Sequence, residues 1–181
     1  LGNDGSISLE NLKNCINNDL ANNFGNLCQR VFAFINKNCQ SKIPFPNTLE
    51  KRDKELVNEI VEKLPLLKKM IDNQELNSYI KEVINFSFNS NKYFNDLEPW
   101  ALKKTNPKRM DTVLYCVLNQ IKAISILLYP VMPETIEKIL DTLGIHKNNR
   151  TLKSVENLNF LKSGTIIKKL DILFKKIEND N

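Results

Sequence analysis

Residues 109–129 carry Val113, Leu114, Val117, Leu118, Ile121, Ile124, Leu127 and Leu128, the most apolar helical pattern in the sequence. Apolar residues recurring every three or four positions mark a helix face. Here they cover more than one face, and a helix of that kind needs cover from neighbours on most sides. Breakers bound the stretch: Asn106-Pro107 before it, Pro130 and Pro133 after it. The most apolar run near its end, residues 123–132, is too short to span a bilayer and contains Pro130. The segment therefore predicts the central, most buried helix of a bundle in a soluble, cytoplasmic protein with no membrane partner.

The remaining sequence supplies helices to surround it. Almost no segment alternates with a period of two, Gly is scarce at 5 and helix formers abound, so the fold class expected is all-α. Ser8 is a candidate cap for a first helix running to about Cys39. At about 100° per residue, Ile16, Leu20, Phe24, Leu27, Val31 and Phe34 fall on one face of it. Gly25 costs about 1 kcal/mol against Ala in that interior, which points to a neighbouring helix passing closely. Prolines 44 and 46 make an extended connection. A second helix over residues 49–71 turns Leu56, Ile60, Leu64, Leu67 and Ile71 inward, with a kink or break near Lys63 from Pro65. A third over 74–96 buries Leu76, Ile80, Val83, Ile84, Phe88 and Phe94. Pro99 suits a first helical position and leaves Trp100 on an exposed shoulder. A further helix restarts after Pro133 and ends at Gly144. The tail is irregular from 146 to 163, extended near Gly164 and apolar at helical spacing from 170 to 177.

An enzyme needs a nucleophile, an acid–base pair or a phosphate cradle. His146, the only histidine, sits in a polar loop with no carboxylate spaced to orient it. None of the glycines forms a phosphate-binding loop. Asp53, Glu55, Glu59 and Glu62 alternate with lysines in the manner of a solvated face. Cys15, Cys28, Cys39 and Cys116 lack metal-ligand spacing and read as small hydrophobes in a reducing compartment. The chain alone is expected to have no catalytic residues and no metal site. Its net charge of +5 is compatible with a polyanionic partner without demanding one.

Asn26 and Arg30, four apart, rise one above the other beside the apolar stripe of the first helix. Taken singly, each has an ordinary reading as a solvated or ion-paired residue, and a lone Trp as core. The stretches Asn18-Asp19-Leu20-Ala21-Asn22 with Gly25-Asn26-Leu27 and Arg30, then Glu98-Pro99-Trp100-Ala101-Leu102-Lys103, then Pro130-Val131-Met132-Pro133-Glu134-Thr135, follow in fixed order and spacing. Together they resemble the anticodon-binding domain of methionyl-tRNA synthetases, class I aminoacyl-tRNA synthetases. Gly164, Ile167-Lys168 and the apolar-basic close from Leu173 onward are similar to that family's C-terminal segment. The lead-in Gly2-Asn3-Asp4-Gly5-Ser6 resembles its join to the catalytic region, and the missing initial Met suggests a piece of a larger protein.

The resemblance implies a bundle of about five main helices over residues 8–145, a lead-in over 1–7 and a tail over 146–181 with a short helix. It implies recognition of the CAU anticodon loop of methionine tRNA by Asn26, Arg30 and Trp100. Lys103, Lys104, Lys108 and Arg109, close to Trp100 in sequence, are candidate contacts to the flanking phosphates. In the intact enzyme the bundle would partner its own catalytic domain, where ATP and a zinc knuckle belong; no cofactor is expected in this chain. The rival readings are a helical protein-interaction module and the equivalent bundle of another class I synthetase.

Overall fold

The structure, a computed structural model, describes residues 9–158, 160–174 and 177, with only the backbone of 9, 11 and 12. The lead-in over 1–7, the Ser8 cap and residues 175 and 176 lie outside the described residues. Helix α1 (Leu9–Asn14), a π-helical stretch (Cys15–Gly25) and α2 (Asn26–Asn38) follow one another without a gap. The rest is α3 (Lys51–Asp72), α4 (Leu76–Leu97), α5 (Pro99–Thr105), α6 (Pro107–Leu128), α7 (Pro133–Thr142), a 3-10 turn (Lys147–Asn149) and α8 (Leu152–Glu156). The class is all-α, as the sequence predicts.

Helix α6 is the centre. It packs against α2, α3, α4, α5, α7 and α8, and Leu114, Leu118 and Ile121 are fully buried. By length and apolarity it matches a membrane span, but 83% of its most apolar window is buried inside the bundle. Asn106 caps it, accepting from the Arg109 amide at 3.1 Å, with Pro107 in the first turn. Around it the stripe of the first helix is inward as expected, with Phe24, Leu27 and Val31 fully buried.

The π-helix is held on two sides. In such a stretch each bond runs to the fifth residue, a geometry that is rarely sustained without outside support. Asn23, buried, donates to Ser87 Oγ at 2.6 Å and accepts from Asn91 Nδ2 at 2.8 Å, which fastens it to α4. At Gly25 a Cβ would lie 2.9 Å from the Leu20 carbonyl oxygen and 2.9 Å from Phe174 Cδ2. The close approach expected there is real, but the neighbours are the helix's own wide turn and the C-terminal segment, not another helix. Gly25→Ala is expected to lose about 1–3 kcal/mol of stability to overpacking, although Ala is the better helix former. A urea midpoint unchanged or raised would contradict that packing.

Several local expectations are corrected. Of the kink or break expected near Lys63, the break does not occur: helix α3 runs unbroken through the exposed Pro65, with Leu64 and Leu67 nearby buried. The lost hydrogen bond is outweighed by that packing. Ile71, Leu76 and Phe88 are 42%, 41% and 48% exposed rather than core. The face that α4 buries includes Ser87 and Ser90, small enough for neighbours to approach closely. Asp53, read as part of a solvated face, is fully buried. The stretch 146–163, expected to be irregular, carries the 3-10 turn and the short helix α8, while the described residues from 170 to 174, apolar at helical spacing, are not helical. Cys28 and Cys116 are buried free thiols, and desolvation pushes Cys116 up to about 12.

The tail folds back along the connection after α2. Lys42 and Ile166 form an antiparallel bridge, Ile43 donates to Thr165 O at 2.9 Å, and Ile167 donates to Ser41 O at 2.8 Å. Leu161 and Ile167 of the tail are buried, and Leu161 is tied to α6 by Tyr115 and Asn119.

Candidate nucleic-acid interface

Helix α4 ends at Leu97, and Glu98 adopts a left-handed conformation (φ 42°, ψ 64°). A residue before proline is disfavoured in the α region, and Pro99 cannot extend α4 but can open α5. The chain therefore turns sharply at Glu98, folding the start of α5 back on the end of α4. Trp100 lands edge-to-face on Phe94, with ring centres 5.8 Å apart and planes at 74°. Phe94 is 1% exposed and Trp100 is 42% exposed. One ring anchors the pair in the core while the other leaves part of its indole exposed to solvent.

Arg30 comes to this pair from α2. Its guanidinium carbon lies 5.1 Å from the Phe94 ring centre and 5.9 Å from that of Trp100. Nη2 donates to Asn95 Oδ1 at 2.8 Å. The cation is fixed by two aromatic neighbours and one acceptor, and no carboxylate pairs with it among the described residues. A guanidinium carries five donors in a planar fork, so four remain for a ligand. Asn26, one turn earlier on the same helix, is partly buried and its side chain has no hydrogen-bond partner among the described residues.

The structure thus joins Arg30 and Trp100, which are distant in sequence, and keeps Asn26 on the flank of the same helix. Asn95 and Phe94 complete the cluster. Asn95 has no local sequence signal: its one identifying contact is to a residue 65 positions earlier, and no motif marks it.

The four basic candidates divide. Lys103 donates to Asn38 Oδ1 at 2.7 Å, linking α5 to the end of α2. Lys104 and Lys108 are exposed, and neither forms an ion pair among the described residues. Arg109, expected to meet phosphate, is a structural residue instead. Its side chain is 11% exposed. Both terminal nitrogens donate to the Asp53 carboxylate, Nη2 at 2.8 Å, and Glu50 Oε1 lies 3.4 Å from Nε. Tyr93 donates its hydroxyl to the same carboxylate. Burial alone would raise the Asp53 carboxyl, but the hydrogen bonds from Arg109, Tyr93 and the Glu50 amide outweigh it and hold it below the usual carboxylate value. Arg109 is thus engaged by two acids of the bundle itself.

A part-exposed indole beside a guanidinium without a carboxylate partner is the kind of surface on which an unpaired base can stack. Comparison with known proteins makes this specific. Residues 43–181 match the family model described as the anticodon binding domain of methionyl tRNA ligase. Methionine–tRNA ligase of Rickettsia felis is 34% identical over 99% of this chain and 36% of its own length. That of Brucella suis is 38% identical over 85% of the chain and 30% of its own length. The apo crystal structure of Mycobacterium tuberculosis methionyl-tRNA synthetase superposes with a TM-score of 0.93 at 31% identity, covering 99% of this chain and 36% of that one. The chain belongs to the anticodon-binding domain family of methionyl tRNA ligases, and it spans about a third of the length of the relatives it matches. These matches do not favour an interaction module or the bundle of another synthetase.

Proposed function

We propose that the chain reads the CAU anticodon of methionine tRNA, as the anticodon-binding part of a cytoplasmic ligase that attaches methionine to that tRNA with ATP. The observation that carries this reading is the Arg30–Phe94–Trp100 cluster. Loop bases are recognised by splaying them out, stacking them on an aromatic and bonding their Watson–Crick edge. The exposed part of the Trp100 indole offers the stacking platform. The guanidinium of Arg30 has only donors, so it suits the O2 and N3 acceptors of cytosine and opposes the N3–H of uracil. Asn26 carries both a donor and an acceptor and suits either kind of edge. Catalysis, ATP and any zinc belong to the two thirds of the relatives' length that this chain does not span, and the catalytic region is the expected partner of the bundle.

Binding of anticodon stem-loops at fixed salt tests the reading. A CAU loop is expected to bind at least about tenfold more tightly than one with the cytosine replaced by uracil, a difference of about 1.4 kcal/mol. Equal affinities would overturn it.

A further inference from the structure

Three stretches of the sequence hold ten of the 26 Lys and Arg and none of the 21 Asp and Glu: residues 20–49, 99–110 and 157–170. The fold brings all three to one end of the bundle. Lys103 of the second bonds Asn38 of the first at 2.7 Å, Asn47 of the first bonds the Lys108 carbonyl at 3.2 Å, and Lys42 of the first bridges to Ile166 of the third. Arg109 is withdrawn from this surface by Asp53. Lys37, Lys42, Lys168 and Lys169 are all exposed, and none has an ion pair among the described residues. Lys37 and Lys169 both line an open crevice of about 490 Å³, together with Phe32 and Ser41. Six acids bound these stretches in sequence: Glu50 and Glu156 pair with Arg109 and Lys68, Asp19 and Asp111 are partly buried, and Glu98 and Asp171 are exposed.

Elsewhere the balance is different. Helix α3 mixes its cations with Asp53, Glu55, Glu59, Glu62 and Asp72, and Lys63 and Lys68 are paired with Glu82 and Glu156. Positive charge left without acids over one continuous face costs self-repulsion unless a polyanion covers it.

We infer that Lys37, Lys42, Lys168 and Lys169 form a phosphate track that grips the backbone of the anticodon stem while its loop is read at Trp100. The inference rests on the proposed reading for the identity of the RNA. The track begins near the reading cluster, because Asn38 lies eight residues, about 12 Å of helix, beyond Arg30. It continues onto the tail across the Lys42–Ile166 bridge. Phosphate contacts of this kind set register and affinity without reading sequence, and they make binding salt-dependent.

The test compares the chain with its Lys37→Gln/Lys42→Gln/Lys169→Gln variant on three probes: a CAU stem-loop, the same stem with a changed loop, and a seven-nucleotide loop alone. The variant is expected to weaken both stem-loops by the same factor, and to reduce the slope of log K against log salt by roughly 2. Binding of the loop alone should be unchanged. A Lys68→Gln/Lys147→Gln control, which removes two ion-paired lysines, should leave the slope unchanged. An unchanged slope in the triple variant, or an equal loss on the loop alone, overturns the track. Absence of CAU preference with a reduced slope would sink the anticodon reading and leave the track standing.

Discussion

Replacing Arg109 by methionine is expected to lower stability by about 3–5 kcal/mol at neutral pH, the cost of leaving a buried charge without its partner. Asp53 is fully buried, and Arg109 supplies its bidentate contact. The Tyr93 hydroxyl and the Glu50 amide remain, but they carry no compensating charge. The loss reaches beyond one helix, since Asp53 lies in the first turn of α3, Tyr93 in α4 and Arg109 in the first turn of α6. The pH dependence separates this cause from simple lost packing. In the unmodified chain the Asp53 carboxyl is held below its ordinary value, so its stabilising contribution is present at neutral pH and is lost as pH falls below about 4. In Arg109→Met, burial without the cation raises the same carboxyl above its unfolded value. The variant should then gain stability relative to the parent as pH falls from neutral towards 4. Urea unfolding followed by circular dichroism at pH 7 and pH 5 measures both effects. A loss under 1 kcal/mol, or one that grows as pH falls through this window, contradicts the account.

Removing the aromatic platform should have the larger effect on binding. Trp100→Ala is expected to weaken a CAU stem-loop by about 1–3 kcal/mol, the usual worth of one base stacked on an aromatic ring. Stability should change little, because Trp100 is 42% exposed and Phe94 beneath it carries the core packing. Arg30→Ala should weaken the same RNA and reduce its preference over a changed loop, since the guanidinium has donors directed at base acceptors. Loss of helical signal in either variant would make the residue structural and remove it from the site.

How far the sequence could be read depended on whether a residue's role is local. Helix α6 was legible because its apolar residues surround it, whichever neighbours cover them. The exposure of Trp100 was legible because Pro99 dictates where α5 starts. Asp53 and Arg109 were misread for the opposite reason. Each lies among exposed charges in its own helix, and only the fold brings them together across 56 positions. Asn95 was missed on the same ground. Gly25 was read correctly as a close approach but assigned the wrong neighbour, since neither the π-helical turn at Leu20 nor the return of Phe174 has a local signature. Pro65 fails to break α3 because the buried leucines beside it hold the helix to the core while its own side faces water.

Trp100 is the only tryptophan in the chain, so its fluorescence reports on the reading cluster with no background from another indole. Titrating the chain with a CAU stem-loop at fixed salt should quench that emission saturably as a base stacks on the indole. A stem-loop with a changed anticodon should need at least about tenfold more RNA for the same quench. Identical quenching curves for the two loops, or bound RNA with no change in emission, would contradict anticodon reading at this site.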